Sequence, residues 1–285
     1  MTGLDPNTEL GGVTLIVGDL DLQAAYYRDA IGLCLIDRDA GVATLGAPGN
    51  DDALVTLRSR PDAPLRSPRT TGLFHLALRV PTRDDLGWAF SRVSEAGHQF
   101  TGAADHLVSE ALYLSDPEGN GIEIYSDRPR DTWPRAGAQI EMATLPLDMT
   151  RILQGTDGLD ASAGMSAGTR VGHVHLQVAD LDAAEAFYVG AIGFDVMARL
   201  QSSALFISAG GYHHHVGLNT WAGRGAPPSP AGARGLESFD IVFPDGPALA
   251  RTISSIEEAG FPVATKDGAA TVVDPSANRV RLRLP

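Results

Sequence analysis

The strongest constraint on this chain is that it contains a second version of part of itself. Residues 17–33, VGDLDLQAAYYRDAIGL, return as residues 178–194, VADLDAAEAFYVGAIGF, aligning without insertion or deletion. Each copy reads as a short alternating strand, an Asp-containing turn and a helix that ends at glycine. In the second copy Asp182 is the expected N-cap and Gly193 the stop. A related unit occurs at residues 75–97 and again at 238–260, each a strand, a Pro-containing turn and a helix, with Gly97 and Gly260 as stops. Short strand-like segments follow each unit. Turns at Asp116–Asn120 and Asp274–Asn278 give the hairpin signal between the last two strands of the second and fourth units. The reading is an α+β chain of four βαβββ modules, at about 10–60, 72–127, 171–221 and 236–285. They group as two curved-sheet domains, residues 10–128 and 170–285. Residues 129–169 form a linker with some local structure, and Arg224–Arg234 form a second loop rich in Pro, Gly and Ala.

Composition narrows the function classes. With 44% hydrophobic and 20% charged residues, a chain of 285 can bury a sizeable core in two ordinary domains. No apolar run approaches the ~18 residues of a membrane span. Met1–Leu10 is polar and acidic, unlike a signal peptide, so a soluble cytoplasmic protein is expected. The net charge of −13, from 22 basic and 35 acidic residues, gives no basic field to displace counterions and argues against a nucleic-acid partner. Cys34 is the one cysteine, which excludes an internal disulfide and a cysteine zinc cage. Any metal must be held by His and carboxylate.

The eight histidines are placed to do so. His75 and His173 hold equivalent positions in the first strands of their modules, HLALRV and HVHLQV. Period-two alternation puts His75, Ala77 and Arg79 on one face, and His173, His175 and Gln177 on the matching face of the other strand. Leu76, Leu78 and Val80 then face the helices. In Gly121–Tyr125, Glu123 and Tyr125 share the polar face. In YHHHVGLN, Val216 and Leu218 define the apolar face, so that His213, His215 and Asn219 point into the concavity. His75, Glu123, His173 and His215 thus stand on polar sheet faces. A divalent ion would satisfy several such enclosed groups at once. Two imidazoles and one carboxylate leave open positions on a metal, as in non-haem Fe(II) oxygenases. The competing readings are a surface cluster for His213–His215, a two-residue slip that exchanges His175 for His173, and a structural role for His98. Duplicated α+β modules also build binding proteins without catalysis, so fold does not decide function.

The modules resemble the vicinal-oxygen-chelate superfamily of glyoxalase I, bleomycin-resistance proteins and extradiol ring-cleaving dioxygenases. Residues 106–123 are similar to the extradiol signature: His106, five residues, Leu112-Tyr113, two residues, Asp116-Pro117-Glu118-Gly119, three residues, Glu123. One flank departs, with Ala104 two residues before His106. GGYHHHVGLNTW adds a likeness to two-domain catechol-2,3-dioxygenase-like proteins.

The resemblance implies a dioxygenase of aromatic catabolism that opens a catechol-type ring next to its diol with O2. It implies Glu123, His75 and His173 as ligands of Fe(II), with Mn(II) suited by the same donors. It implies His215 as the acid/base, and His106 and Tyr113 as hydrogen-bond partners of the substrate oxygens. Extradiol dioxygenases hold their ligands in modules three and four. Here Ser238 and Arg281 stand at the corresponding positions of module four, and Gly12 at that of module one. The complete set comes from modules two and three, which are therefore expected to pair around the metal. The rival readings are a glyoxalase-type metal-dependent isomerase or lyase, with His215 as a fourth ligand, and a non-catalytic protein that binds an aromatic or an antibiotic. The oligomeric state stays open, a homo-oligomer included.

Overall fold

A computed structural model describes residues 3–137, 139–154, 156, 164–266 and 269–285. Module one runs β1 (Glu9–Val17), α1 (Leu20–Tyr26), β2 (Cys34–Arg38), β3 (Val42–Gly46) and β4 (Val55–Ser59). Module two runs β5 (Gly72–Val80), α2 (Arg83–Glu95), β6 (Gly102–Asp105), β7 (Ser109–Ser115) and β8 (Gly121–Asp127). Then come β9 (Arg135–Ala136), β10 (Gln139–Ile140) and α3 (Met149–Leu153). Module three runs β11 (Arg170–Gln177), α4 (Leu181–Glu185), β12 (Asp195–Leu200), β13 (Ala204–Ser208) and β14 (Val216–Asn219). Module four runs β15 (Gly235–Val242), α5 (Gly246–Glu258), β16 (Ala264–Lys266), β17 (Ala269–Val273) and β18 (Arg279–Arg283).

In each module the first strand lies parallel to the last, which closes an antiparallel meander. The strands form two eight-stranded sheets, β16-β17-β18-β15-β1-β4-β3-β2 and β12-β13-β14-β11-β5-β8-β7-β6. Antiparallel pairing of β1 with β15 joins modules one and four, and pairing of β5 with β11 joins modules two and three. The second is the pairing that the ligand positions demand. The sequence halves 10–128 and 170–285 therefore each contribute one module to each sheet.

Alternation decides which face is buried. Leu76, Leu78 and Val80 of β5 are buried with Leu86, Ala89 and Val93 of α2 in the main apolar core. A capping box between Thr82 and Asp85 starts α2 and satisfies donors that the first turn would otherwise leave bare. The repeated helices start slightly earlier than Asp182 indicates. Asp180 accepts from the Ala183 N–H and Asp19 from the Leu22 N–H, each at 2.9 Å. Asp182 lies in the first turn, where its charge still favours the helix N-terminus. Both helices loosen into π turns, at 27–31 and 186–192, and stop at Gly32 and Gly193 with φ of 91° and 103°. Only glycine holds that backbone at little cost.

Consecutive modules are tied by buried polar contacts. The Tyr27 hydroxyl donates to Asp116 (3.2 Å) and the Tyr188 hydroxyl to Asp274 (3.0 Å). Each aspartate also accepts from two backbone N–H groups and one Asn side chain of its own turn. These turns are structural. Of the linker, 133–137 and 139–145 run along the second sheet: Asp105 bridges to Leu145, and Trp133 packs edge-on against Tyr212. Linker residues 138, 155 and 157–163 lie outside the described residues. No helix among the described residues is long and apolar enough to cross a membrane.

Candidate metal centre

Strand register brings the histidines and glutamate together. Across β11, β5 and β8, His173 pairs with Ala77 and Ala77 with Glu123, so all three lie in one row. The small Ala77 between them leaves room for the two longer side chains to converge. In the adjacent row Gly217, His175, His75 and Gly121 follow one another across the sheet. Glycine at 217 is needed there, because a Cβ would sit 2.8 Å from the His175 ring. The Nε2 atoms of His75 and His173 lie 3.0 and 3.1 Å from one oxygen of Glu123 and 3.3 Å from each other. Glu123, His75 and His173 are all buried.

This donor set fits a divalent ion. Ligand atoms bound to one ion at about 2.1 Å stand roughly 3 Å apart along an octahedral edge. The two imidazole Nε2 atoms and the carboxylate oxygen already have that spacing. Protein hydrogen bonding alone leaves the triad poorly served, since two rings aim Nε2 at the same oxygen and at each other. The buried Nδ1 of His173 has no partner among the described residues. The expected convergence of His75, His173 and Glu123 is thus present in space.

The triad opens onto a cavity of about 680 Å³, lined also by His106, Tyr113, His175 and His214. The His106 Nδ1 lies 2.7 Å from the Ala143 carbonyl, to which it must donate. Its Nε2 then accepts from the Tyr113 hydroxyl at 2.6 Å. Burial, reinforced by the charge of Glu123, pushes the Tyr113 phenol well above its usual range, so it remains a donor.

His215 is not at this cavity. Its Nδ1 accepts from the Ala209 N–H (3.2 Å) and lies 2.9 Å from the Ser208 hydroxyl. Alternation misplaces it because β14 begins only at Val216, and residues 212–215 form a turn to which period two does not apply. His214 lines the cavity instead, its ring centroid 4.1 Å from that of His173. A second departure arises in β5, where the register shifts between His75 and Leu73. Such a bulge puts neighbouring residues on one face. Phe74 therefore lines the cavity beside His75, where alternation would turn it toward the helices, and meets Trp221 edge-on at 5.0 Å. Gln139, Ile140, Met142 and Ala143 supply a wall from the linker, which has no periodic pattern to announce it. His98 packs edge-on against Tyr26, away from the cavity.

Burial holds these rings neutral. His173 is pushed down to about 4 from 6.5 and His215 to about 3, in both cases chiefly by burial. Burial likewise drives His175 and His214 well below 6.5. Burial alone would raise Glu123, but the adjacent His173 and His75 outweigh it and keep the carboxyl well below its usual range. Neutral imidazole and ionised carboxylate are the forms that bind a metal. The same shifts set a stability window. In the unfolded chain these rings take up protons near pH 6.5, whereas in the fold His173 resists until about pH 4 and His215 until about pH 3. Stability is therefore complete above pH 6.5 and lost as pH falls toward 4. The Tm of metal-free protein is expected to fall by about 10 °C or more across that window in thermal scans. A flat profile would mean that the rings are not held neutral.

Comparison with known proteins gives consistent results. The family model described as Glyoxalase/Bleomycin resistance protein/Dioxygenase superfamily matches residues 9–124 and 170–280. The chain is 40% identical over 278 residues to the catechol-2,3-dioxygenase of Bacillus subtilis strain 168, covering 96% of each chain. It is 28% identical over 130 residues to biphenyl-2,3-diol 1,2-dioxygenase 3 of Rhodococcus globerulus, covering 41% of this chain and 63% of that one. Glyoxalase I from Zea mays shares the fold, with a TM-score of 0.60, 18% identity, and coverage of 97% of this chain and 92% of that one.

Proposed function

The chain belongs to the glyoxalase/bleomycin resistance protein/dioxygenase superfamily, and we propose that it is an extradiol dioxygenase that cleaves a catechol-type ring with O2. The observation that carries this reading is the convergence of His75, His173 and Glu123 on one point with a cavity on the open side. Its support is the near full-length likeness to a catechol-2,3-dioxygenase. We assign these three as metal ligands and Fe(II) as the metal. Bound there, the ion would supply Lewis acidity for the diol and a redox partner for O2.

The chain's own residues do the rest. His214 replaces His215 as the acid/base, taking a proton from a catechol hydroxyl at its Nε2, the ring nitrogen without a protein partner among the described residues. Tyr113, held protonated with its proton on the bond to His106, presents its oxygen to accept from a catechol hydroxyl. Phe74, Phe206 and Trp221 offer aromatic surface to the ring. His215, the fourth ligand that an isomerase reading requires, is engaged with Ser208 and Ala209. The catechol and O2 are the small-molecule partners. A cytoplasmic location is part of this proposal.

The test is anaerobic reconstitution with Fe(II), followed by a panel of catechols and then O2. O2 uptake with a yellow ring-fission product is expected. Iron-loaded protein inert toward the whole panel would overturn the reading.

A further inference from the structure

Behind His214 lies a line of polar groups, from the part-buried Arg79 and Asp127 to the fully buried His213, that ring cleavage as described above leaves unused. Asp127, at the end of β8, faces Arg79 at 3.4 Å and accepts from the Tyr212 hydroxyl at 3.0 Å. Its other oxygen lies 2.8 Å from Nε2 of His213, a fully buried ring. The opposite nitrogen of His213, Nδ1, lies 2.8 Å from Nδ1 of His214. Three consecutive histidines thus take three different surroundings. His213 points to a carboxylate, His214 to the cavity and His215 to Ser208 and Ala209.

The proton positions along this line follow from donor and acceptor roles. A carboxylate only accepts, so the proton between Asp127 and His213 sits on Nε2 of His213. Arg79 already balances the Asp127 charge. The His213 ring is itself fully buried, so a further charge on it would stand uncompensated in a dry place, which is costly. The neutral ring then has a bare Nδ1, and only a donor can face it at 2.8 Å. The proton there belongs to Nδ1 of His214. Nε2 of His214 is left as a bare lone pair on a ring that lines the cavity.

We propose that Asp127 and His213 are positioning residues that lock His214 in its Nδ1–H tautomer, so that its Nε2 meets the substrate as a proton acceptor. The catalytic half of this proposal rests on the ring-cleavage reading; the tautomer does not. Neither Asp127 nor His213 touches the cavity, and each acts through the next residue in line.

The experiment uses the full chain with 15N-labelled histidine, loaded with diamagnetic Zn(II). Long-range 15N–1H correlation spectra report which ring nitrogen carries the proton, and His214→Gln identifies the signals of His214. A pyrrole-type Nδ1 and a pyridine-type Nε2 are expected for His214. His213→Leu removes the acceptor and is expected to abolish the single tautomer. His213→Asn can present a carbonyl oxygen near the lost Nδ1 and is expected to restore it. In the Fe(II) enzyme, His213→Leu should lower kcat about 10–100-fold with KM little changed, and His213→Asn should recover most of the loss. A wild-type His214 protonated at Nε2 overturns the proposal. So does a His213→Leu loss that Asn fails to rescue, which would assign the effect to packing. Wild-type protein inert toward catechols, with His214 in the stated tautomer, would remove the ring-cleavage reading while upholding the lock.

Discussion

Glu123→Ala is expected to lose the metal and the turnover together. Glu123 is the one carboxylate in the cluster with His75 and His173, and it is almost fully buried. Its charge is what makes a dication favourable there, since two neutral imidazoles alone leave the ion's charge uncompensated in a dry site. Changes one shell further out typically cost 10–100-fold in affinity or activity. Removing the charged ligand itself should therefore cost more than about 100-fold in both. Metal analysis after gel filtration should find the variant nearly metal-free, with wild-type circular dichroism. The fold should survive, because without a metal the carboxylate is a buried charge facing two imidazoles. Glu123→Gln keeps an oxygen donor but not the charge, and should fall between. A stoichiometric metal content in Glu123→Ala would mean that the ion is held elsewhere.

The second large effect separates two adjacent histidines. His214→Ala should keep the metal and lower kcat by roughly 10²–10⁴-fold, the range for removing a general acid/base. His215→Ala should leave kcat within a few-fold of wild type and act on stability instead. Its ring accepts from the Ala209 N–H, and an orphaned buried donor costs about 1–3 kcal/mol. Metal content, steady-state kinetics and denaturant titration of the two variants give the answer. If His215→Ala abolishes turnover and His214→Ala does not, the cavity-facing ring is misassigned.

That pair also marks where the sequence stops being readable. The ligands His75, Glu123 and His173 are legible because HLALRV, GIEIY and HVHLQV each alternate, and a buried Glu between two Ile residues has few explanations besides a ligand. The partnership of modules two and three follows from the absence of ligands at Gly12, Ser238 and Arg281 in the other two. His214 is not legible, because the turn before β14 obeys no period and one residue of phase reverses every side chain. Phe74 is hidden by a bulge that depends on how β5 meets β11, some 100 residues apart in the chain. The linker wall at 139–143 lacks any pattern because tertiary packing alone decides its course.

The interleaved sheets bear on how such a protein comes to be made. Glu123 and His75 leave the ribosome well before His173, and β5, which bears His75, has no neighbour on one side until β11 has been synthesised. An emerging chain therefore offers only part of a chelating set until β11 has been made. Neither half made alone can assemble the three donors, while two halves made separately regain them only by docking strand to strand.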